Sequence, residues 1–182
     1  MDDDVLMRAE NPEDYDSIRE ICDAAFKGPV EGNLVGKIRA APGFRPELSL
    51  VALINGRVVG HALFSPVRIA GDGGAMDALT LAPLCVHPEF QNRGIGSALM
   101  ERGLAECERA GARVVVLLGH PGYYPRFGFS PAGRKGLRLK FSAPAEAFMV
   151  REIVPGALDG SPAVVVFPAP FDEALSSETP VE

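Results

Sequence analysis

Apolar positions change their period several times along the chain, and each change marks an element. Residues 5–9 predict a first strand. Asn11-Pro12 then reads as a helix start, a capping side chain before a proline at the first helical position, with Glu13 and Asp14 in the first turn. Tyr15, Ile18, Cys22 and Ala25 recur at helical spacing until Gly28-Pro29 ends the run. A second amphipathic helix turns Leu34, Val35 and Ile38 inward and breaks at Ala41-Pro42-Gly43. From Leu48 the pattern becomes nearly continuous: residues 48–54 and 57–64 are apolar arms about Asn55-Gly56, which supplies the two positive φ angles of a type I′ turn. They predict a β-hairpin buried on both faces and therefore covered by helices on each.

Asp72-Gly73-Gly74 turns the chain into a long strand over 76–86, where Pro83 cannot donate to a ladder and predicts a bulge. A helix over 94–110 follows, with Ile95, Leu99, Gly103, Cys107 and Ala110 on one face and Glu101, Glu108 and Arg109 opposite. Gly103 costs that helix about 1 kcal/mol relative to alanine and permits a close approach to the sheet. After Gly111, residues 113–118 form a short buried strand expected to run parallel to 76–86, completing a right-handed strand-helix-strand unit. Residues 119–122 read as a loop, 123–127 as a short helical turn, and 137–141, 148–154 and 163–167 as further strands of weak alternation. PAPFDEALSSETPVE, after Phe167, is proline-rich and acidic, so one domain over 1–167 and a flexible tail over 168–182 are expected.

Composition narrows the class. With 182 residues, 47% of them hydrophobic and 23% charged, the chain suits one soluble globular domain. No uncharged apolar run reaches the roughly 18 residues of a membrane span, and the acidic start MDDDVLMRAE is unlike a signal peptide. Cys22, Cys85 and Cys107 are odd in number and lack C-x-x-C spacing, which argues against a disulfide framework and against zinc, so no metal and a reducing cytoplasm are expected. A net charge of −6 argues against general nucleic-acid binding, although Arg126, Arg134, Lys135, Arg138 and Lys140 concentrate basic charge late in the chain.

The chemistry concentrates in LAPLCVHPEFQNRGIG, residues 81–96. Gly94 and Gly96 let a ligand approach the backbone, and the N–H groups that open the following helix lack intrahelical acceptors and lie at the positive end of its dipole. A phosphate or pyrophosphate satisfies such a turn, and Arg93 can add an ionic contact. The turn is no P-loop, because no lysine follows either glycine. Nor is it the dinucleotide fingerprint: Leu99 stands where a third small residue belongs, and residues 114–118 end without a carboxylate.

The run Q-x-x-G-x-G at 91–96, after a strand ending Leu-Cys-Val-His-Pro, resembles the acyl-CoA-binding motif of the GNAT superfamily of N-acetyltransferases. YYPRFGF at 123–129 is similar to that family's later motif, a tyrosine four residues before Gly-Phe. Within the superfamily the resemblance is to the YhbS-like branch of predicted N-acetyltransferases, and it extends over residues 5–167. It implies an α/β fold with a mixed, mostly antiparallel central sheet, helices on both faces and a splay between two parallel strands that takes acetyl-CoA. It further implies that Leu84, Cys85 and Val86 meet the pantetheine arm through their backbone and that Gln91, Asn92, Arg93, Gly94, Ile95, Gly96 and Ser97 surround the pyrophosphate. Tyr124, the family's proton donor to the departing thiolate, and Arg126 complete the cofactor contacts. His120 stands where relatives of this branch often carry a carboxylate, and is a candidate base; His61 and Asp77 are others, although His61 reads rather as a hydrogen-bonded structural histidine. The implied reaction is direct acetyl transfer to a primary amine of a small molecule, without a membrane partner and with a homodimer among the expected assemblies. The rival readings are a non-catalytic acyl-CoA-binding regulator and a protein-lysine acetyltransferase.

Overall fold

The computed structural model describes residues 4–177. The chain divides into two compact units: one comprises the chain up to Ser65, Ala82–Glu106 and the chain from Pro170, the other Pro66–Leu81 and Cys107–Ala169.

In the first unit, strand β1 (Val5–Ala9) runs antiparallel to β2 (Ser49–Ile54), with Val5 opposite Ile54 and Ala9 opposite Leu50. Asn55 and Gly56, at φ 50° and 79°, turn β2 into β3 (Arg57–Gly71), as the Asn-Gly signal requires. The register of this hairpin shifts between Ala52 and Leu53, so Val59 is an extra residue on β3. Its carbonyl accepts from the His87 N–H at 2.9 Å, just beyond β4 (Gly74–Val86). The bulge thus lies on β3, and at Pro83, where one is expected from sequence, the Ala82–Pro83 peptide is cis.

Helices cover both faces of β3. Asn11 caps the turn Pro12–Asp14, which leads into α1 (Tyr15–Phe26), and α2 (Val30–Ala40) buries Leu34, Val35 and Ile38 as predicted. Ile18, Ile21 and Cys22 are the buried face of α1. Tyr15 is instead partly exposed, its ring 3.8 Å beneath the Arg39 guanidinium. On the other face lies α3 (Ile95–Arg109): a Cβ on Gly60 would stand 3.0 Å from Leu99, and one on Gly103 only 2.2 Å from the Phe64 ring. The closeness expected from Gly103 is therefore real.

The second unit holds the parallel pair. Leu79 and Thr80 of β4 stand opposite Val115 and Val116 of β5 (Val114–Leu118), a ladder of two rungs, as a splayed pair requires. Two strands shorter than their sequence ranges follow, β7 (Leu137–Arg138) and β8 (Phe148–Glu152), preceded by a two-residue strand without sequence signal, β6 (Ser130–Pro131). β8 runs antiparallel to β5 and to β6. β9 (Ala163–Val166) pairs antiparallel with the end of β3 and parallel with β7. Val67, Ile69, Val114, Val116, Phe148 and Val165 are the centre of its core.

The expected loose tail is corrected. Ala169–Phe171 is a helical turn that buries Phe171, and α4 (Asp172–Ser177) continues it, with Lys37 of α2 paired to Glu173. Residues 178–182 lie outside the described residues. No described helix is long and apolar enough to cross a membrane.

Candidate active site

The strand end, the turn and the start of α3 are positioned by one another. Period-2 alternation leaves Leu84 and Val86 half-buried on one side of β4 and Cys85 buried on the other. The turn Pro88–Phe90 follows, with His87 Nδ1 accepting from the Glu89 N–H at 3.3 Å. Gln91, read from sequence as a ligand residue, donates from Nε2 to the Val86 carbonyl at 3.0 Å and so ties the turn to the strand. Asn92 and Gly94 adopt φ of 61° and 82° on either side of Arg93, a left-handed backbone of the kind that can turn successive N–H groups toward one anion. A side chain on Gly94 would meet nothing within 4 Å, so conformation alone demands glycine there. The N–H groups of Ile95 and Gly96 stand ahead of a first-turn helical bond, from the Ala98 N–H to the Gly94 carbonyl at 3.0 Å. Ser97 is half-buried in that turn.

Positive charge gathers here more than the sequence indicates. Arg93 and Arg57 each lie 5.3 Å from the centre of the Phe90 ring, so an aromatic side chain holds two guanidinium groups beside the turn, Arg57 also paired to Glu89 at 3.6 Å. Arg57 comes from the hairpin, 36 positions from Arg93 in number, and no local motif announces it.

In the second unit β5 ends at Leu118 and the chain enters the tyrosine motif. A Cβ on Gly119 would lie 2.2 Å from Cε2 of Tyr124, so the tyrosine ring packs against the bare backbone of Gly119. Sequence reading passes over this glycine as loop; its place directly after a buried strand was the available signal. Tyr124 opens the turn Tyr124–Phe127, is half-buried, and meets the Tyr123 ring edge-on at 5.0 Å and the Phe129 ring at 6.1 Å. Burial, with Tyr123 alongside, pushes its hydroxyl up to about 12, so it holds its proton throughout the neutral range. Arg151 fixes the end of the turn by donating to the Phe127 carbonyl at 2.7 Å.

His120 is exposed at the same strand end. Its Nδ1 accepts from the Gly122 N–H at 3.4 Å, which leaves the proton of the neutral ring on Nε2. Arg126 donates from Nε to the Tyr123 carbonyl at 3.0 Å and lies 4.7 Å from the centre of that ring. Lys135 is paired with Glu152 at 2.6 Å, so the late basic residues are partly spent within the fold.

His61 is fully buried, with Nε2 3.0 Å from Ser49 Oγ and 3.3 Å from Glu10 Oε2, the hydrogen-bonded structural place expected of it rather than that of a base for an incoming substrate. Asp77 has a side chain 92% exposed, 3.9 Å from Arg68, without the enclosure that tunes a catalytic carboxylate. The Cys85 thiol lies 3.0 Å from Cys22 Sγ; that contact and burial raise Cys85, while the same contact draws Cys22 down against the effect of burial. A separate groove of about 420 Å³ in the second unit, lined by the β3–β4 turn and residues 156–163, contains none of the motif residues.

Known proteins share this sequence pattern and fold. The family profile described as an acetyltransferase (GNAT) domain matches residues 7–132. The uncharacterized N-acetyltransferase YjhQ of Escherichia coli is 39% identical over 134 residues, which span 73% of this chain and 74% of YjhQ. The crystal structure of YhbS from Escherichia coli in complex with CoA superposes with a TM-score of 0.84 at 31% identity, covering 92% of each chain. A GNAT family acetyltransferase from Brucella melitensis in complex with acetyl-CoA gives 0.75 at 36% identity, over 93% of this chain and 99% of that one. Both the glycine turn and the tyrosine motif fall inside the matched residues, and with them the chain belongs to the GNAT family of N-acetyltransferases.

Proposed function

We propose that the chain moves an acetyl group from acetyl-CoA directly to a primary amine of a small molecule. The observation that carries this reading is the turn at 91–97, where positive φ at Asn92 and Gly94 precedes the N-terminus of α3. That turn takes the pyrophosphate on its N–H groups, with Arg93 adding charge. Main-chain groups of Leu84, Cys85 and Val86 pair with the amides of the pantetheine arm, and Arg126 contributes a second cation. Relatives at 31% and 36% identity that were crystallised with CoA and acetyl-CoA support the choice of donor.

In this reading the amine nitrogen attacks the thioester carbonyl after His120 has taken its proton on Nδ1, giving up the 3.4 Å contact with the Gly122 N–H. The tetrahedral intermediate collapses, the C–S bond breaks, and the Tyr124 hydroxyl gives its proton to the departing thiolate. The second amine proton and the one held by His120 leave to solvent, which returns one to Tyr124. Cys85 forms no acyl-enzyme, because its thiol is buried against Cys22.

Thermal unfolding with and without acetyl-CoA, followed by thiol release across a panel of amines, tests the proposal. Acetyl-CoA is expected to raise Tm as any ligand of the native state does. Gly96→Asp should abolish that shift while leaving the protein folded, since an acid at a helix N-terminus favours the helix but repels the pyrophosphate. No shift with millimolar acetyl-CoA overturns the donor assignment. A shift without thiol release above the hydrolysis blank leaves a regulatory binder, and release only with lysine peptides leaves a protein acetyltransferase.

A further inference from the structure

The acetyl-transfer chemistry makes no use of the three side chains Cys22, His61 and Cys85. They come from mid-α1, β3 and β4, are 0%, 0% and 3% exposed, and present ligand atoms that all lie within 4.8 Å of one another. The sulfurs are 3.0 Å apart and form no disulfide. His61 Nδ1 is buried without a hydrogen-bond partner. An orphaned ring nitrogen at full burial is costly in a folded protein and calls for an account.

The other side of the imidazole supplies one. Its Nε2 lies 3.3 Å from Glu10 Oε2 and 3.0 Å from Ser49 Oγ. Glu10 is itself gripped by Arg39, Nε to Oε1 at 2.7 Å and Nη2 to Oε2 at 2.8 Å. An ionised carboxylate only accepts, so Nε2 carries the ring proton and Nδ1 is left with a free lone pair. A carboxylate behind a histidine is the arrangement that fixes the tautomer and orientation of a metal-binding imidazole. Two thiols and an imidazole are a soft donor set, selective for thiophilic cations over magnesium or calcium.

We propose that Cys22, His61 and Cys85 bind one closed-shell thiophilic cation, Zn²⁺ or Cu⁺, with Glu10 and Arg39 as the groups that orient His61. Binding replaces the thiol protons, which leave to solvent, and two thiolates neutralise a divalent ion. Metal–sulfur bonds of about 2.3 Å require the sulfurs to part slightly, which rotation about the side chains allows. The cation would bind α1 to the two inner strands β3 and β4 at a depth solvent does not reach, so loading accompanies folding. Sequence spacing argued against zinc because the ligands come from three distant elements; only the fold brings them together.

The test uses the full chain, purified in reductant, stripped of metal in denaturant and refolded with Zn²⁺, Cu⁺ or the spectroscopic probe Co²⁺. The expected result is one equivalent of cation per chain and a higher Tm, with a thiolate-to-cobalt charge-transfer band in the near ultraviolet. Zinc retained against a copper chelator identifies Zn²⁺, and copper retained against a zinc chelator identifies Cu⁺. Cys22→Ala, a small substitution in a helix, should lose the band and the Tm response while Cys107→Ala keeps both. Glu10→Gln should weaken binding by roughly 10- to 100-fold, an effect on affinity that a purely structural cluster would not produce. Refolded wild-type protein that takes up none of the three ions and gains no Tm overturns the proposal. So does a band that survives Cys22→Ala. A 2 Da mass loss with peroxide, together with no metal uptake by the reduced chain, also overturns it and makes the two cysteines a disulfide-forming pair.

Discussion

Tyr124 and Gly119 act as a pair: the glycine has no side chain so that the tyrosine ring can lie against its backbone, 2.2 Å from where a Cβ would be. Tyr124→Phe keeps the ring and its packing and removes the transferable proton. Turnover should fall by roughly 10- to 100-fold, at the low end of general-acid contributions because a thiolate is a tolerable leaving group, with acetyl-CoA affinity little changed. Tyr123→Phe should do less. Gly119→Ala should lower turnover in the same way, by displacing the Tyr124 ring, and so show that position as well as chemistry matters. The pH profile carries a separate check. Because the hydroxyl is raised to about 12 by burial and by Tyr123, the acid remains protonated through the range in which the amine loses its proton. The rate should therefore rise from about pH 7 to 9 without a descending limb below about 10. Full activity in Tyr124→Phe, or a loss confined to Tyr123→Phe, assigns the proton to another group.

Helix α3 shows two effects of known size in opposition. Replacing Gly103 by alanine gains about 1 kcal/mol of helix propensity. Its new Cβ, however, would stand 2.2 Å from Cε2 and 2.7 Å from Cζ of Phe64, which is 1% exposed. A ring packed on all sides cannot turn aside, and overpacking of this kind costs typically 1–3 kcal/mol. The clash should win, so Gly103→Ala should lower stability in denaturant titration, whereas Gly36→Ala in α2, with open space at its Cβ, should raise it. Gain of stability in Gly103→Ala would mean that α3 stands farther from β3. The sequence made half of this legible: a glycine in mid-helix announced a close approach, but nothing local named Phe64, because the contact joins residues 39 positions apart by number. The hairpin was fully legible, since Asn-Gly fixes its turn within two residues, whereas the bulge at Val59 depends on the pairing of β3 with β2 and with His87.

At the scale of the molecule, what sequence revealed is what short-range rules determine. The glycine turn and the tyrosine motif are contiguous, so their chemistry could be read directly. Arg57 beside Phe90 and the assembly of Cys22, His61 and Cys85 depend on tertiary structure, and the helix α4 is a six-residue segment whose stability comes from burying Phe171, not from a long apolar stripe. Net charge is also a property of the whole chain, and −6 creates a field that favours cationic acceptors. The attacking amine must be neutral when it reacts, so the field acts best on a second charge elsewhere in the acceptor. A diamine should therefore exceed a monoamine of equal length in kcat/KM, several-fold at about 10 mM salt, where charges act over roughly 30 Å. At about 1 M salt, where that reach falls to roughly 3 Å, the advantage should disappear. An advantage that persists at high salt would place the recognition in a direct contact rather than in the field, and an acetylated hydroxyl without amide product would show that the acceptor is not an amine.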